Sequence, residues 1–135
     1  MIDRDGHSLL FVEIKARTGR RDQAIPPLLD RIHRFGFPFG MFIDPEVILI
    51  YQDGDPEPVA CLSTPEALRS YDPDHANNRR WTFHDYLQGL IESWLVDYAT
   101  SWRHREPPHH SKMVELGLDD RLVGAKVEVG GEASR

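Results

Sequence analysis

Residues 9–15 read LLFVEIK, and this stretch sets the predicted fold. The residues before Glu13 are apolar and mostly favour β-structure, and the length suits one strand. Side chains alternate across a strand, so Phe11, Glu13 and Lys15 share one face. An apolar run of this kind is typical of a central strand that is covered on both faces. The pattern therefore predicts a buried strand that ends in an acid and a base on the same face.

The Glu13–Lys15 pair has a chemical interpretation and a plain one. Charges are costly to bury unless they are paired or bind a metal. Mg2+ takes carboxylate and carbonyl oxygens, so Glu13 and the backbone carbonyl of Ile14 are the predicted metal ligands. Lys15 would orient an attacking water and neutralise charge that builds on a phosphate. In the plain interpretation the strand simply leaves the core here, and a bare Glu-x-Lys tripeptide is far more often of that kind.

The segment after the strand predicts a helix over residues 22–35. Its apolar residues fall at helical spacing and form one stripe. Asp22 suits an N-terminal cap, and Pro26 and Pro27 are tolerated only in a first turn. Gly36 is a stop signal. The stripe consists of Ile25, Leu28, Leu29 and Ile32.

Residues 37–51, FPFGMFIDPEVILIY, predict two strands joined by a turn at 44–46. The short turn implies that these two strands are antiparallel. The preceding helix should return the first of them parallel to the strand at 9–15. A second turn at 53–56 and a short edge strand at 59–62 follow. The predicted core is an α/β unit with the order β-α-β-β.

These elements resemble a known nuclease superfamily. FVEIKA at 11–16, the following helix and FPFGMFIDPEVILIY resemble the second half of the PD-(D/E)xK nuclease core over about residues 3–51. The similarity is to small bacterial proteins related to the N-terminal nuclease domain of type I restriction subunits. Glu13 and Lys15 match the second acid and the lysine of the motif. Gln23 stands where many relatives carry a helical Gln near the site, although a polar residue in a first helical turn needs no function.

The resemblance implies a restriction-endonuclease-like mixed sheet flanked by helices. It also implies a Mg2+-dependent endonuclease that acts on nucleic acid, with DNA as the expected substrate and a relation to restriction-modification. Glu13, Lys15 and Gln23 would be its catalytic residues, and Glu13 and Ile14 would hold the metal. The motif is short and degenerate, so its specificity is intermediate.

The first acid of the family, the Asp of a Pro-Asp pair, is not evident before Glu13. Asp5-Gly6 is a strong signal for a two-residue hairpin loop, and that register pairs Asp3 with Ser8. Asp3 would then lie near the turn, several residues along the strand from Glu13 at about 3.3 Å per residue. The residue opposite Glu13 would precede Met1. We expect either that the first helix, the first strand and its Asp lie upstream of Met1, or that the site has lost an acid and is inactive.

The C-terminal half predicts mainly helices. Thr64-Pro65-Glu66 begins a short helix, with Thr64 as its cap and Pro65 at its first position, and residues 71–80 form a polar loop. Residues 81–104 predict a long amphipathic helix whose apolar residues repeat every four positions, after a capping box at 82–85. Its apolar stripe must be covered by the sheet or by another copy of the chain. A homodimer disrupted by Trp94→Asp is the expectation in the second case.

The remaining C-terminal residues offer little chemistry. Residues 103–110, RHREPPHH, contain three His, but a Pro-rich loop after a helix is a poor frame for metal ligands. Residues 114–122 predict a short helix and a turn, residues 124–129 a final strand, and residues 130–135 a frayed tail.

Composition bounds the possible functions. The chain has 135 residues, and this length predicts one domain, residues 1–135. Its net charge of −6 argues weakly against a nucleic-acid binder. The charge is uneven, because residues 15–34 hold six Lys and Arg against two Asp. Arg17, Arg20 and Arg21 lie just past the proposed site, where a phosphate backbone would run, and they are the predicted nucleic-acid-binding residues. A solvated basic loop is the alternative.

The single Cys61 excludes an internal disulfide framework and fits a cytoplasmic protein. No apolar run reaches the length of a membrane span, and no signal peptide is evident. Three functions remain open at this point. The chain is a metal-dependent phosphodiester hydrolase, a non-catalytic module that binds nucleic acid or protein, or an assembly domain that pairs through the helix at 81–104.

Overall fold

A computed structural model describes residues 1–72, 84–100 and 107–127 of the chain. Within them lie four strands and five α-helices. The strands are β1 (Leu10–Ile14), β2 (Phe39–Ile43), β3 (Val47–Gln52) and β4 (Ala60–Ser63). The helices are α1 (Arg21–Arg34), α2 (Thr64–Leu68), α3 (His84–Ala99), α4 (His110–Glu115) and α5 (Leu118–Leu122).

The strands form one mixed sheet in the order β1-β2-β3-β4. β1 and β2 are parallel, and Glu13 stands beside Phe42 in their register. β2–β3 and β3–β4 are antiparallel. The predicted α/β class and β-α-β-β order are therefore confirmed. The predicted central position of β1 is not found, because β1 stands at one end of the described strand order.

The sheet separates two apolar clusters. On one face α1 covers the smaller cluster, which joins Leu28 and Ile32 to Phe42, Leu49 and Tyr51. On the other face the larger cluster joins the strands to α2, α3, α4 and α5. Every strand contributes alternate residues to the two faces, as the two-residue period of a strand requires. Most of the sheet is therefore apolar on both faces, which explains its nearly continuous hydrophobic sequence.

The apolar stripe of α3 is covered by the chain itself. Leu87, Ile91, Trp94, Leu95 and Tyr98 are all fully buried in the larger cluster. The indole N–H of Trp94 and the hydroxyl of Tyr98 both donate to the carbonyl of Pro108, at 3.0 and 2.8 Å. The sheet and the C-terminal helices thus occupy the surface that the assembly hypothesis assigned to a second copy. Trp94→Asp would disrupt this core rather than report on a dimer.

Helix α1 differs from its prediction in two ways. It begins at Arg21, so Asp22 lies in its first turn rather than at the cap, and the capping residue Arg20 makes no side-chain cap bond. Pro26 and Pro27 lie in the second turn, where they remove the N–H groups that would bond the carbonyls of residues 22 and 23. Both prolines are exposed, so water can satisfy the carbonyls they leave.

The N-terminal hairpin has a three-residue loop, so its predicted register is wrong by one residue. The N–H of Asp3 donates to the carbonyl of His7 at 2.8 Å, and Ile2 bridges Ser8. Gly6 takes the left-handed conformation with φ 84°, which is typical of a type I turn followed by a bulge. Asp3 still lies beside the turn, as expected.

Beyond the core strands the predictions are met in part. Helix α2 is capped by Ser63, whose Oγ accepts the N–H of Glu66 at 3.3 Å, instead of by Thr64. The predicted helix at 114–122 is two short helices, α4 and α5. In the predicted final strand only an isolated bridge between Lys126 and Ile2 is described. Residues 73–80, 81–83, 101–106 and 128–135 lie outside the described residues. These ranges hold most of the predicted loop, both ends of the predicted long helix, half of the His-rich segment, and the tail.

Gly40 lets α1 pack directly on β2. A Cβ at this position would lie 2.9 Å from Cγ2 of Ile32, a branch methyl whose χ1 is stiff in a helix. We predict that Gly40→Ala lowers the free energy of unfolding by about 1–3 kcal/mol through overpacking. Gly89→Ala is the matched control, because nothing lies within 4 Å of a Cβ there. That variant should gain about 0.5–1 kcal/mol from helix propensity. Equal effects of the two substitutions in urea unfolding would contradict this packing.

We predict that ionisation of the buried Tyr51 phenol lowers the stability of the fold at alkaline pH. Burial raises the pKa of its phenol above the ordinary value, with smaller contributions from Glu57 and Cys61. Unfolded tyrosine ionises near pH 10. The stability that the neutral, buried phenol contributes is therefore fully present below that pH and is lost as the pH rises towards the folded pKa. Unfolding measured between pH 8 and about pH 11 should show a smaller alkaline loss in Tyr51→Phe than in the wild type. Parallel curves would contradict the assignment.

Candidate functional site

Glu13 and Lys15 lie together at the carboxyl end of β1. Both follow the alternation of Phe11 and project to the face that α1 covers. Nζ of Lys15 lies 3.3 Å from Oε1 of Glu13, and their side chains are 27% and 12% exposed respectively. The predicted juxtaposition of the acid and the base is therefore present. The low exposure of Glu13 differs from the expectation for a pair that extends freely into water.

The backbone of β1 fixes where nearby oxygens point. The carbonyl of Leu9 accepts the N–H of Phe39 at 3.1 Å, and the N–H of Lys15 donates to the carbonyl of Ile43 at 2.9 Å. The carbonyl of Leu10 instead accepts from the N-terminal ammonium of Met1 on the other side of β1, so by alternation the carbonyl of Ile14 points to that opposite edge. The carboxylate of Glu13 and the carbonyl of Ile14 are the two groups predicted to hold the ion.

Gln23 is not placed against this pair. Its side chain is exposed, and its Oε1 accepts from Nη1 of Arg20 at 3.4 Å. This contact closes the first turn of α1 on itself. The structure therefore holds Glu13 and Lys15 in contact and pairs the exposed Gln23 side chain with Arg20.

The three predicted nucleic-acid-binding arginines divide into two kinds. Arg17 and Arg20 are exposed on the loop between β1 and α1. Arg21 is instead ion-paired, because its Nε lies 3.3 Å from Oδ2 of the fully buried Asp44. The exposed pair retains the surface position expected of phosphate contacts, whereas Arg21 already has a carboxylate partner.

Asp44 is the site residue that sequence reasoning missed. It follows β2 directly, and the carboxyl ends of parallel strands meet at one edge of a sheet. Its Oδ1 accepts the N–H groups of Glu46 and Val47, both at 2.8 Å. Its backbone carbonyl accepts the hydroxyl of Thr64 at 2.8 Å. The sequence signal was the Asp-Pro-Glu turn, but a turn residue is ordinarily exposed, and nothing in the sequence showed that this one is buried.

The described residues supply few metal ligands. Residues 1–72, 84–100 and 107–127 contain no group of three or more His, Cys, Asp or Glu that could hold a metal ion. Both oxygens of Asp44 already accept hydrogen bonds. Asp3 stays at the hairpin, where the N–H groups of His7 and Asp5 donate to its carboxylate at 2.9 Å and lower its pKa. Glu13 and Ile14 fit Mg2+ only as part of its shell, since this ion is often held by one or two carboxylates together with waters and substrate phosphates.

Comparisons of the chain with protein families, with curated proteins and with solved structures find no match. The resemblance to the nuclease core thus depends on the Glu-x-Lys motif and on the element order, and it stays a prediction. In the part of the chain that the structure describes, no helix is long and apolar enough to cross a membrane.

Replacement of Glu13 and Lys15 tests whether this pair is part of the framework. An ion pair that is largely removed from water is often no better for stability than apolar side chains of similar volume. We predict that the double variant Glu13→Val/Lys15→Met, which replaces both charges of the pair by apolar side chains, changes the free energy of unfolding by no more than about 1 kcal/mol, or raises it. The measurement is urea unfolding at pH 7. A loss above about 3 kcal/mol, the size expected for a broken buried network, would show that the pair supports the fold itself.

Proposed function

We propose that this chain is a metal-dependent phosphodiester hydrolase-like domain that acts on nucleic acid, with DNA as the substrate. The observation that carries the proposal is the Glu13–Lys15 pair, held 3.3 Å apart with Glu13 largely buried at the end of a parallel strand. A carboxylate is costly to remove from water unless it is paired, and Glu13 has no capping or turn role of the kind that accounts for Asp44. Such a cost is typical of residues kept for binding or catalysis.

The position of the pair supports the proposal. In open α/β sheets, ligands bind outside the carboxyl ends of parallel strands, and β1 and β2 end here side by side. The exposed Arg17 and Arg20 follow on the adjoining loop. A nucleic-acid backbone that crosses this edge would meet positive charge on the loop and the acid–base pair on the strand.

In this proposal each residue has a distinct task. The carboxylate of Glu13 and the carbonyl of Ile14 would hold Mg2+, which when bound supplies Lewis-acid activation of the phosphate and of a water. The ammonium of Lys15 would stabilise charge that develops on the phosphate. Arg17 and Arg20 would bind the flanking phosphates and position the strand. Gln23 was predicted from the resemblance to be catalytic, and its described contact is with Arg20, so no task is proposed for it here.

We predict that DNA cleavage by the wild-type chain requires Mg2+ and is lost in Glu13→Gln. Lys15→Met should lower the rate by about 100-fold or more, the size found when one group that stabilises developing charge is removed. The assay follows cleavage of a labelled duplex and of its single strand with Mg2+ and with EDTA. Glu57→Gln is the matched control, because it makes the same change at an exposed residue and should leave the rate unaltered. Cleavage that persists in Glu13→Gln would refute the assignment.

Binding without hydrolysis is the second candidate, and one observation favours it. In the described residues Glu13 is not joined by two further acids, His or Cys, so a Mg2+ ion there would depend on waters and substrate phosphates for most of its ligands. In that case DNA binding persists in EDTA and falls steeply with salt, and no variant of Glu13 changes it. Wild-type binding in EDTA, with no cleavage at any Mg2+ concentration, would select this function over the first.

A further inference from the structure

We infer that Asp44 is a positioning residue that holds the basic loop, residues 15–20, against the carboxyl end of the parallel strands, and that it acts through Arg21. Asp44 is fully buried, and yet it lies in a turn between two strands. A buried carboxylate is tolerated only when its oxygens are satisfied. The partners of Asp44 show which parts of the molecule it joins.

The two oxygens of the Asp44 carboxylate have separate partners. Oδ1 accepts the N–H groups of Glu46 and Val47, so it fixes the turn between β2 and β3. Oδ2 faces Nε of Arg21 at 3.3 Å, at the first residue of α1. The turn needs only Oδ1, so Oδ2 and the negative charge are left for Arg21. Oδ1 therefore has a structural role in the turn, and Oδ2 has the proposed role of holding Arg21.

Both ends of the basic loop attach to the same two residues of β2 and its turn. At the first end the N–H of Lys15 donates to the carbonyl of Ile43 at 2.9 Å. At the second end the side chain of Arg21 reaches Asp44. A loop whose ends are fixed at one place loses little further entropy when it is ordered for binding. The loop that carries Arg17 and Arg20 is therefore fixed at both ends, and Asp44 fixes the second end.

The inference assigns Arg21 to the framework rather than to the phosphate contacts. It rests on the proposed function only where DNA binding is measured, since the ordering of the loop can be measured without any ligand. The two assignments for Arg21 predict opposite effects of Asp44→Asn on the affinity for DNA. If Arg21 itself bound phosphate, removing the competing carboxylate charge would free it and tighten DNA binding. If Arg21 holds the loop, the same substitution weakens DNA binding.

The first measurement is limited trypsin digestion of the whole chain, with cleavage after Arg17 and Arg20 followed by mass spectrometry. Asp44→Asn keeps an oxygen that can accept from the turn, so the fold should persist, and Arg21→Gln is the second variant. We expect cleavage at both sites to rise about tenfold or more in each variant, because a charge-assisted hydrogen bond that limits local opening is lost. Asp30→Asn is the matched control, since it breaks an exposed ion pair with Arg34 further along α1. Its effect should stay within about twofold.

The second measurement is DNA binding as a function of salt, in EDTA. We expect Asp44→Asn and Arg21→Gln to weaken binding to a similar extent, and the double variant to be no weaker than either. Arg17→Gln should lower the slope of log K against log salt by about 0.9, as one lost phosphate contact does. The inference would be overturned if trypsin cleavage after Arg17 and Arg20 were unchanged in both variants. It would also be overturned if Asp44→Asn bound DNA more tightly than the wild type. A wild-type chain that binds no DNA would refute the proposed function, and the digestion alone would then decide whether Asp44 positions the loop.

Discussion

The parallel pairing of β1 with β2 is the constraint on which the site depends. The bond from the N–H of Lys15 to the carbonyl of Ile43 brings the ends of both strands to one edge. That edge holds Glu13 and Lys15 from β1 and Asp44 from the residue after β2. Because a one-residue slip would move every side chain to the other face, the apolar alternation of both strands also fixes which face these charged groups take. Packing and chemistry are thus specified by the same register.

The two acids at this edge, Asp44 and Glu13, have different surroundings. Asp44 is satisfied by two N–H groups and a guanidinium, so its burial is compatible with a stable turn. Glu13 contacts Lys15, and its carboxylate carries no turn or helix cap. The contrast supports the proposals that Asp44 holds the framework and that Glu13 serves the site. It also separates Arg21, which the framework uses, from Arg17 and Arg20, which remain exposed.

The sequence was sufficient for elements whose patterns are long and periodic. LLFVEIK and VILIY were predicted as strands because apolar and β-branched runs have few alternatives, and the stripe of α3 was predicted from its four-residue repeat. Local turn chemistry was less reliable. The Asp5-Gly6 signal predicts a two-residue loop, whereas the chain forms a three-residue loop with Gly6 in the left-handed conformation. Ser63 instead of Thr64 caps α2, since either residue type suits a cap.

Tertiary contacts decided what the sequence left open. The burial of Asp44 depends on Arg21, which lies 23 residues away in the chain. No local sequence pattern indicates a contact between residues so far apart. Gln23 was assigned to the site by resemblance, yet the first turn of α1 directs it to Arg20. The predicted long helix is described only over His84–Ala99, and its ends lie outside the described residues.

The most direct measurement of the central claim is paramagnetic broadening of amide NMR signals by Mn2+, which binds the same oxygen ligands as Mg2+. With a short DNA duplex present, the account predicts that low Mn2+ selectively broadens the amides of residues 13–16, and that Glu13→Gln abolishes the effect. Broadening centred on another part of the chain, or unchanged in Glu13→Gln, would contradict it.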